Sequence, residues 1–331
     1  MDNVDLDVLS SVLAWRRMGH SVWLYTVVQT WGSAPRPPGS MLALRDDGVV
    51  IGSVSGGCIE DDLIQRYQAS RPEKQERAVN LITYGMTREE AARFGLPCGG
   101  TLRLTEELVE DPTWVEAVIM RCARHEISLR ELNLDTGAAR IDDAVTDDAF
   151  AFDGQYLRVI YGPRWRLMMI GGGQLSRYVA EIAQMLGFEV LVCDPRSNFT
   201  AEWENPSVVN VPGMPDDAVL SIEPDERTAI VTLTHDPRLD DMALLTALKS
   251  KAFYVGSLGS WQTTDKRRHY LAELGLSAKE IARLHGPIGL HIGSHTPVEI
   301  ALSLMAEIVS IKNGVMPSQK KTAPLALEAA S

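Results

Sequence analysis

A chain of 331 residues with 45% hydrophobic and 23% charged content has the make-up of a globular protein and exceeds one ordinary core, so two domains are expected. Its formal charge of −12 opposes roles that neutralise phosphates or anionic lipids, which argues against nucleic acid and membrane surfaces as partners. No apolar run has bilayer length, and the acidic start from Met1 to Asp7 lacks a signal peptide's basic-then-apolar pattern, so a cytoplasmic location is expected.

In chain order, Leu6, Leu9 and Leu13 predict an opening helix that Gly19 ends, and Val22 to Val28 is a β-branched and aromatic run typical of a buried strand. Trp31 to Ser40, WGSAPRPPGS, has too much proline and glycine for helix or central strand, and this stiff loop carries Arg36, a planar cation suited to phosphate or carboxylate. Met41–Leu44 and Val49–Ile51 flank an Asp-Asp-Gly turn and read as a hairpin. The hairpin delivers the chain to GSVSGGCIE, where Ile59, Leu63 and Tyr67 recur at helical spacing. Ser53 to Cys58 is therefore a strand-to-helix turn. Gly56 and Gly57, with Ser55 before them, free the backbone to present bare amides at a helix start, an arrangement that holds anions. Cys58 falls in the first helical turn, where the same field favours thiolate, while Glu60, Asp61 and Asp62 suit a helix start and oppose thiolate formation.

Ala78 to Tyr84 reads as a further strand, and FGLPCGGT repeats a cysteine followed by two glycines, making Cys98 a companion candidate to Cys58. The four cysteines, with Cys122 and Cys193, form no C-x-x-C pair, which argues against a zinc knuckle or disulfide framework. Trp114 to Arg124 is a predicted helix in which Cys122 is packing, and Glu131 to Ile141 a hairpin. Composition shifts between Asp142 and Pro163, so domains of 1–155 and 163–313 are expected, with a frayed tail over 314–331.

The second domain opens with a βαβ dinucleotide fingerprint: an apolar strand, Gly171-Gly172-Gly173-Gln174-Leu175-Ser176, a helix with Leu175, Val179, Ile182 and Leu186 on one face, and a strand ending at Asp194. Gly171 serves the turn, Gly173 the close approach of phosphate, and Asp194 the ribose. Thr228 to Thr234 is a parallel-type strand with His235 at its carboxyl end, where open α/β sheets bind ligands, and Asp236-Pro237 opens a helix. Ala252 to Val255 is a strand with a flexible exit, and Lys266, Arg267 and Arg268 are expected on a solvated helix face. Thr296-Pro297-Val298-Glu299 is a capping box opening a helix striped by Ile300, Leu304, Ile308 and Ile311. The fold class is α/β, with a Rossmann-like doubly wound parallel sheet in the second domain.

GSAPRPPGSML, GSVSGGCIE, PCGGTL, the glycine turn after Met169, THDPRLD and HGPIGLHIGSHTPVEIALSLMAEI, in that order, resemble the XdhC/CoxI family over nearly the whole chain. The resemblance implies that the first domain is an α/β domain of XdhC/CoxI type. The resemblance implies a non-enzymatic accessory chaperone that binds molybdenum cofactor, as molybdopterin or its cytosine dinucleotide form. It implies insertion into the molybdenum-binding subunit of a xanthine dehydrogenase-type or aldehyde oxidoreductase-type enzyme, and Gln174-Leu175-Ser176 points to the aldehyde oxidoreductase branch. It places the cofactor-site cysteine at Cys58, a molybdenum ligand through the cofactor, and implies a molybdopterin cytidylyltransferase and a cysteine desulfurase as further partners; a homodimer is compatible with it. Trp261 stands where many members have arginine, which weakens a ligand role for that loop. Two rival readings stay open: an NAD(P)-dependent oxidoreductase using the fingerprint and His235, and a sulfur carrier with a persulfide on Cys58.

Overall fold

The computed structural model describes residues 3–31, 36–69, 79–94, 100–144, 150–196 and 205–315. Cys98 and the tail beyond 315 lie outside the described residues. The chain divides into two compact units, the first running to Arg164 and the second beginning at Trp165.

In the first unit the helix α1 (Asn3–Arg17) leads into β1 (Val22–Trp31), and β2 (Met41–Arg45) and β3 (Val50–Gly52) form the expected hairpin. Then come α2 (Cys58–Ala69), β4 (Val79–Tyr84), α3 (Arg88–Arg93), β5 (Thr101–Leu108) and α4 (Thr113–Ala123). The strands pair antiparallel in the order β3-β2-β1-β5-β4. β1 reads as a continuous apolar run because both its faces are covered. Val22, Leu24 and Val28 pack with Val8, Leu9 and Val12 of α1 and Val115 and Val118 of α4, whereas Trp23, Tyr25 and Val27 pack with Ile59 and Leu63 of α2.

A second antiparallel sheet comprises β6 (Ser128–Asn133), β7 (Ala139–Asp143), β8 (Phe150–Phe152) and β9 (Tyr156–Tyr161), in the order β7-β6-β9-β8. The expected boundary at 155 cuts this sheet. β9 pairs with both β6 and β8, and it buries Leu157, Val159 and Tyr161 in the core shared with α1 and β1, so the first unit extends past it. The acidic stretch before β9 conceals a strand because alternation over three residues of β8 carries little pattern.

The sheets are tied by a buried cation. Arg130 of β6, 1% exposed, pairs with Glu107 of β5 and lies 3.7 Å above the ring centroid of Trp114 in α4. A charge so enclosed is tolerated only while its counter-ion and aromatic face remain.

The second unit opens with β10 (Arg166–Ile170), α5 (Gln174–Met185), β11 (Glu189–Cys193), β12 (Val208–Asn210), α6 (Pro215–Ser221) and β13 (Thr228–Thr232). α7 (Pro237–Ala247), β14 (Tyr254–Ser257), α8 (Trp261–Glu273), α9 (Ala278–Ile281), β15 (Leu284–His285) and α10 (Pro297–Lys312) complete it. The strands are parallel in the order β12-β11-β10-β13-β14-β15, the doubly wound arrangement with its switch point between β10 and β13. Helices cover both faces. Met168 and Ile170 face Ala243 and Leu244 of α7, and Leu167 and Met169 face Val179 of α5 and Leu304 of α10.

Helix α5 differs from the expected stripe. Ser176, Val179, Ala180 and Ala183 are its buried residues, and Leu186, its C-cap, is exposed. Small side chains let the helix lie close to the sheet, while Leu175 and Ile182 pack at its flank. The proline starts of α7 and α10 form as expected, with Asp236 capping α7 by accepting from the Arg238 amide and a capping box at α10 in which Thr296 accepts from the Glu299 amide.

Replacing Arg130 by alanine strands the Glu107 carboxylate and vacates the space above Trp114. Denaturant unfolding is expected to show a loss of about 3–5 kcal/mol, with a smaller loss when Glu107 is made leucine and Arg130 methionine together.

Candidate functional site

The turn between β3 and α2 is built around a negative charge. Gly56 and Gly57 have φ of +97° and +147°, and nothing lies within 4 Å of a Cβ added at either. This backbone turns successive amides inward, onto the carboxylate of Glu60. Its Oε1 accepts from the amides of Val54 (2.9 Å), Ser55 (2.9 Å) and Gly56 (3.1 Å) and from the Ser53 hydroxyl (2.8 Å). Its Oε2 accepts from the Gly57 amide (2.9 Å) and the Ser55 hydroxyl. Burial by itself would raise the carboxyl's pKa, but the hydrogen bonds from Ser55 and Ser53 outweigh it and hold the group down at about 2.

Cys58 is exposed at the head of α2, because Ile59 and Leu63 take the buried face one turn apart. Arg36 stands beside the turn, its Nε donating to the Ser53 carbonyl at 3.3 Å. Ser55, Gly56, Gly57, Cys58 and Arg36 are therefore brought together in the first unit. The other described cysteines differ. Cys122 is buried, and Cys193 is buried with its thiol donating to the Gly213 carbonyl; burial first, then Asp194 and Asp216, pushes it up to about 11.

The remaining candidates meet at the carboxyl ends of β10, β11 and β13. Gly171, at φ +108°, is held against Thr234, which lies 3.0 Å from the position of an added Cβ, so this turn tolerates only glycine. Gly173 is the N-cap of α5 and has open space before it, while the Ser176 hydroxyl donates back to the Gly171 carbonyl. Asp194 accepts from the Gly172 amide at 2.9 Å and, through both oxygens, from Arg196, whose Nε and Nη2 lie at 2.8 and 2.7 Å. Burial opposes ionisation here, but Arg196 and the Gly172 amide prevail and lower the Asp194 pKa. The ribose-type acid is thus already engaged within the chain. His235 is exposed just beyond β13, next to Thr234.

One group departs from its sequence-based expectation. Arg267 is not solvated: it is 8% exposed, donates to Asp241 (2.9 Å) and Asp240 (3.1 Å), and binds the Ser257 hydroxyl. Asp240 also accepts from the Thr234 hydroxyl at 2.7 Å, so a buried polar network underlies the ends of β13 and β14. Helical spacing within Lys266-Arg267-Arg268 could have separated the inward residue from its outward neighbours. Trp261, at the start of α8, is exposed. Among the described residues no group of three or more His, Cys, Asp or Glu could hold a metal ion, and no helix is long and apolar enough to cross a membrane.

Glu60 links this turn to acid stability. Its folded pKa of about 2 lies below the ordinary 4.5, so its contribution is present above 4.5 and is lost as pH falls from there towards 2. Denaturant unfolding is expected to show this loss, on the order of 2–3 kcal/mol, and Glu60→Gln to flatten it at lower stability near neutrality.

Two family models match the chain: the XdhC and CoxI family over residues 15–85 and the XdhC Rossmann domain over 167–308. The chain is 28% identical over 304 residues to the molybdenum cofactor insertion chaperone PaoD of Escherichia coli (strain K12), spanning 89% of this chain and 84% of that protein. It is 27% identical over 319 residues to a probable xanthine dehydrogenase subunit of Bacillus subtilis (strain 168), spanning 88% of this chain and 93% of that protein. A crystal structure of a Bacillus halodurans protein described as a xanthine dehydrogenase superposes with a TM-score of 0.76 at 22% identity, covering 97% of this chain and 98% of that one, a likeness of fold. The two matches fall one in each unit, the second on the doubly wound parallel sheet, so the chain carries an XdhC and CoxI family domain followed by an XdhC Rossmann domain.

Proposed function

We propose that this protein is a chaperone that binds molybdenum cofactor at Cys58 and passes it to a molybdenum-dependent oxidoreductase of the xanthine dehydrogenase or aldehyde oxidoreductase class. The observation that carries the reading is the exposed Cys58 thiol on a turn fixed by Glu60, in contrast to the buried thiols of Cys122 and Cys193. A thiolate is a soft ligand suited to a sulfur-ligated molybdenum centre, and exposure lets the cargo arrive and leave. The family match and the likeness to PaoD support the same cargo. The cargo is a transient ligand, so the chain's task is retention and release, and no bond-making step is assigned to its residues. Arg36, held on the Ser53 carbonyl, is the neighbouring cation that would meet the negative charge of the cargo's sulfur-ligated metal end. The second domain, with Asp194 held by Arg196, contributes a scaffold whose nucleotide-binding role would require that pair to open.

The test is Cys58→Ser in protein co-expressed with the cofactor pathway, read as pterin and molybdenum per chain and as activity of a co-expressed target enzyme. The substitution removes the soft ligand at an exposed position, so the melting temperature should hold while bound cofactor falls tenfold or more, equivalent to about 1.4 kcal/mol per decade. Unchanged retention and target activation would overturn the assignment of Cys58. A persulfide on Cys58 after incubation with a cysteine desulfurase, with no pterin bound, would replace the reading by sulfur transfer.

A further inference from the structure

We infer that Glu60 is a resident anion that closes the amide cradle at residues 53–57, so that a ligand reaching Cys58 presents its metal or sulfur end there and has its phosphate held elsewhere. The nature of that ligand rests on the function proposed above, whereas the exclusion of external anions from the turn does not.

The turn's donors can be followed one by one. The Ser53 amide donates to the Met41 carbonyl at 3.0 Å, and the amides of Val54, Ser55, Gly56 and Gly57 all donate to Glu60. The hydroxyls of Ser53 and Ser55 are spent on the same carboxylate, and Ser55 in turn accepts from the Ile59 amide at 3.3 Å. An arriving phosphate therefore finds each of these amides in use. The space is also filled, since Glu60 is 8% exposed. A second anion would either lie against the carboxylate, which is repulsive, or expel it and forfeit a set of charge-assisted hydrogen bonds to a group tethered in place.

The geometry follows the capping box. With Gly57 in the N-cap place, Glu60 is the third helical residue, and its carboxylate reaches back to the Gly57 amide as such a residue does. Here it reaches further, to the three preceding amides as well. Glu60 acts as a positioning residue. It fixes the glycine backbone and the start of α2, and through them the outward placement of Cys58.

The experiment measures alkylation of Cys58 by iodoacetamide in the full chain, read on the Cys58 peptide by mass spectrometry, with and without a millimolar excess of pyrophosphate; melting temperatures are recorded alongside. In the wild-type chain pyrophosphate should change neither quantity. In Glu60→Ala the cradle is vacated: the melting temperature should fall, and pyrophosphate should restore part of it while slowing alkylation several-fold. In Glu60→Gln the side chain keeps the space filled, so stability should fall without rescue by pyrophosphate. Slowing of wild-type alkylation by pyrophosphate, or failure of rescue in a Glu60→Ala chain with a native circular dichroism spectrum, would overturn the inference. Should Glu60→Ala not fold, the wild-type arm decides alone. A chain that retains pterin through Cys58 yet is protected by pyrophosphate loses only this inference, and one that ignores pyrophosphate but retains no pterin loses only the proposed function.

Discussion

Inward-facing peptide amides need a negative charge at their centre, and in the first domain that charge is the Glu60 carboxylate. The surrounding features follow from it. Positive φ at Gly56 and Gly57 is the backbone shape that aims the amides, and an unpaired buried amide would cost more than the turn could bear. Once the turn is closed, α2 starts at Cys58, and burial of Ile59 and Leu63 beneath β1 leaves the thiol on the solvent side. The proposed role of Cys58 thus rests on a carboxylate two residues away that never needs to touch the cargo.

The second domain repeats the solution with different parts. The amide of Gly172 in its glycine turn donates to Asp194, and Arg196 neutralises that carboxylate across both oxygens. A glycine-rich turn is therefore an incomplete guide to a free anion site, because the chain can supply the anion itself. The two turns differ in what stays available. The first leaves an exposed thiol, and the second leaves open space before Gly173 at the start of α5. Beneath the second turn lies the network of Thr234, Asp240, Arg267 and Ser257, which joins the ends of β13 and β14 to α7 and α8. Its charges are enclosed and mutually paired, so it braces this end of the sheet.

Much of this protein was legible from local pattern. Apolar spacing, turn glycines and capping residues are local, and they located α1, the β2–β3 hairpin, the start of α2, the βαβ unit and the opening of α10. Ordered motifs likewise pointed to the family whose two domain models match the chain. The Ser53 to Cys58 turn was equally readable as a glycine turn before a helix, because φ freedom and helical periodicity are properties of the residues themselves. What occupies that turn was not. Glu60 was visible only as an acid suited to a helix start, and whether its side chain faces water or folds back depends on where β3 leaves the chain, which the sheet decides. Helical spacing with Thr264 and Leu271 marks Arg267 as the inward residue of its basic run, but its partners Asp240 and Asp241 were decided only by the packing of α8 against α7. The end of the first domain belonged to tertiary structure for the same reason: β9 is a strand by virtue of pairing with β6 and β8 and of burying Leu157 and Tyr161 in a distant core. Residue type and spacing determined which elements form; the partners of buried polar groups were set by long-range packing, because a hydrogen bond's direction is not encoded in separation along the chain.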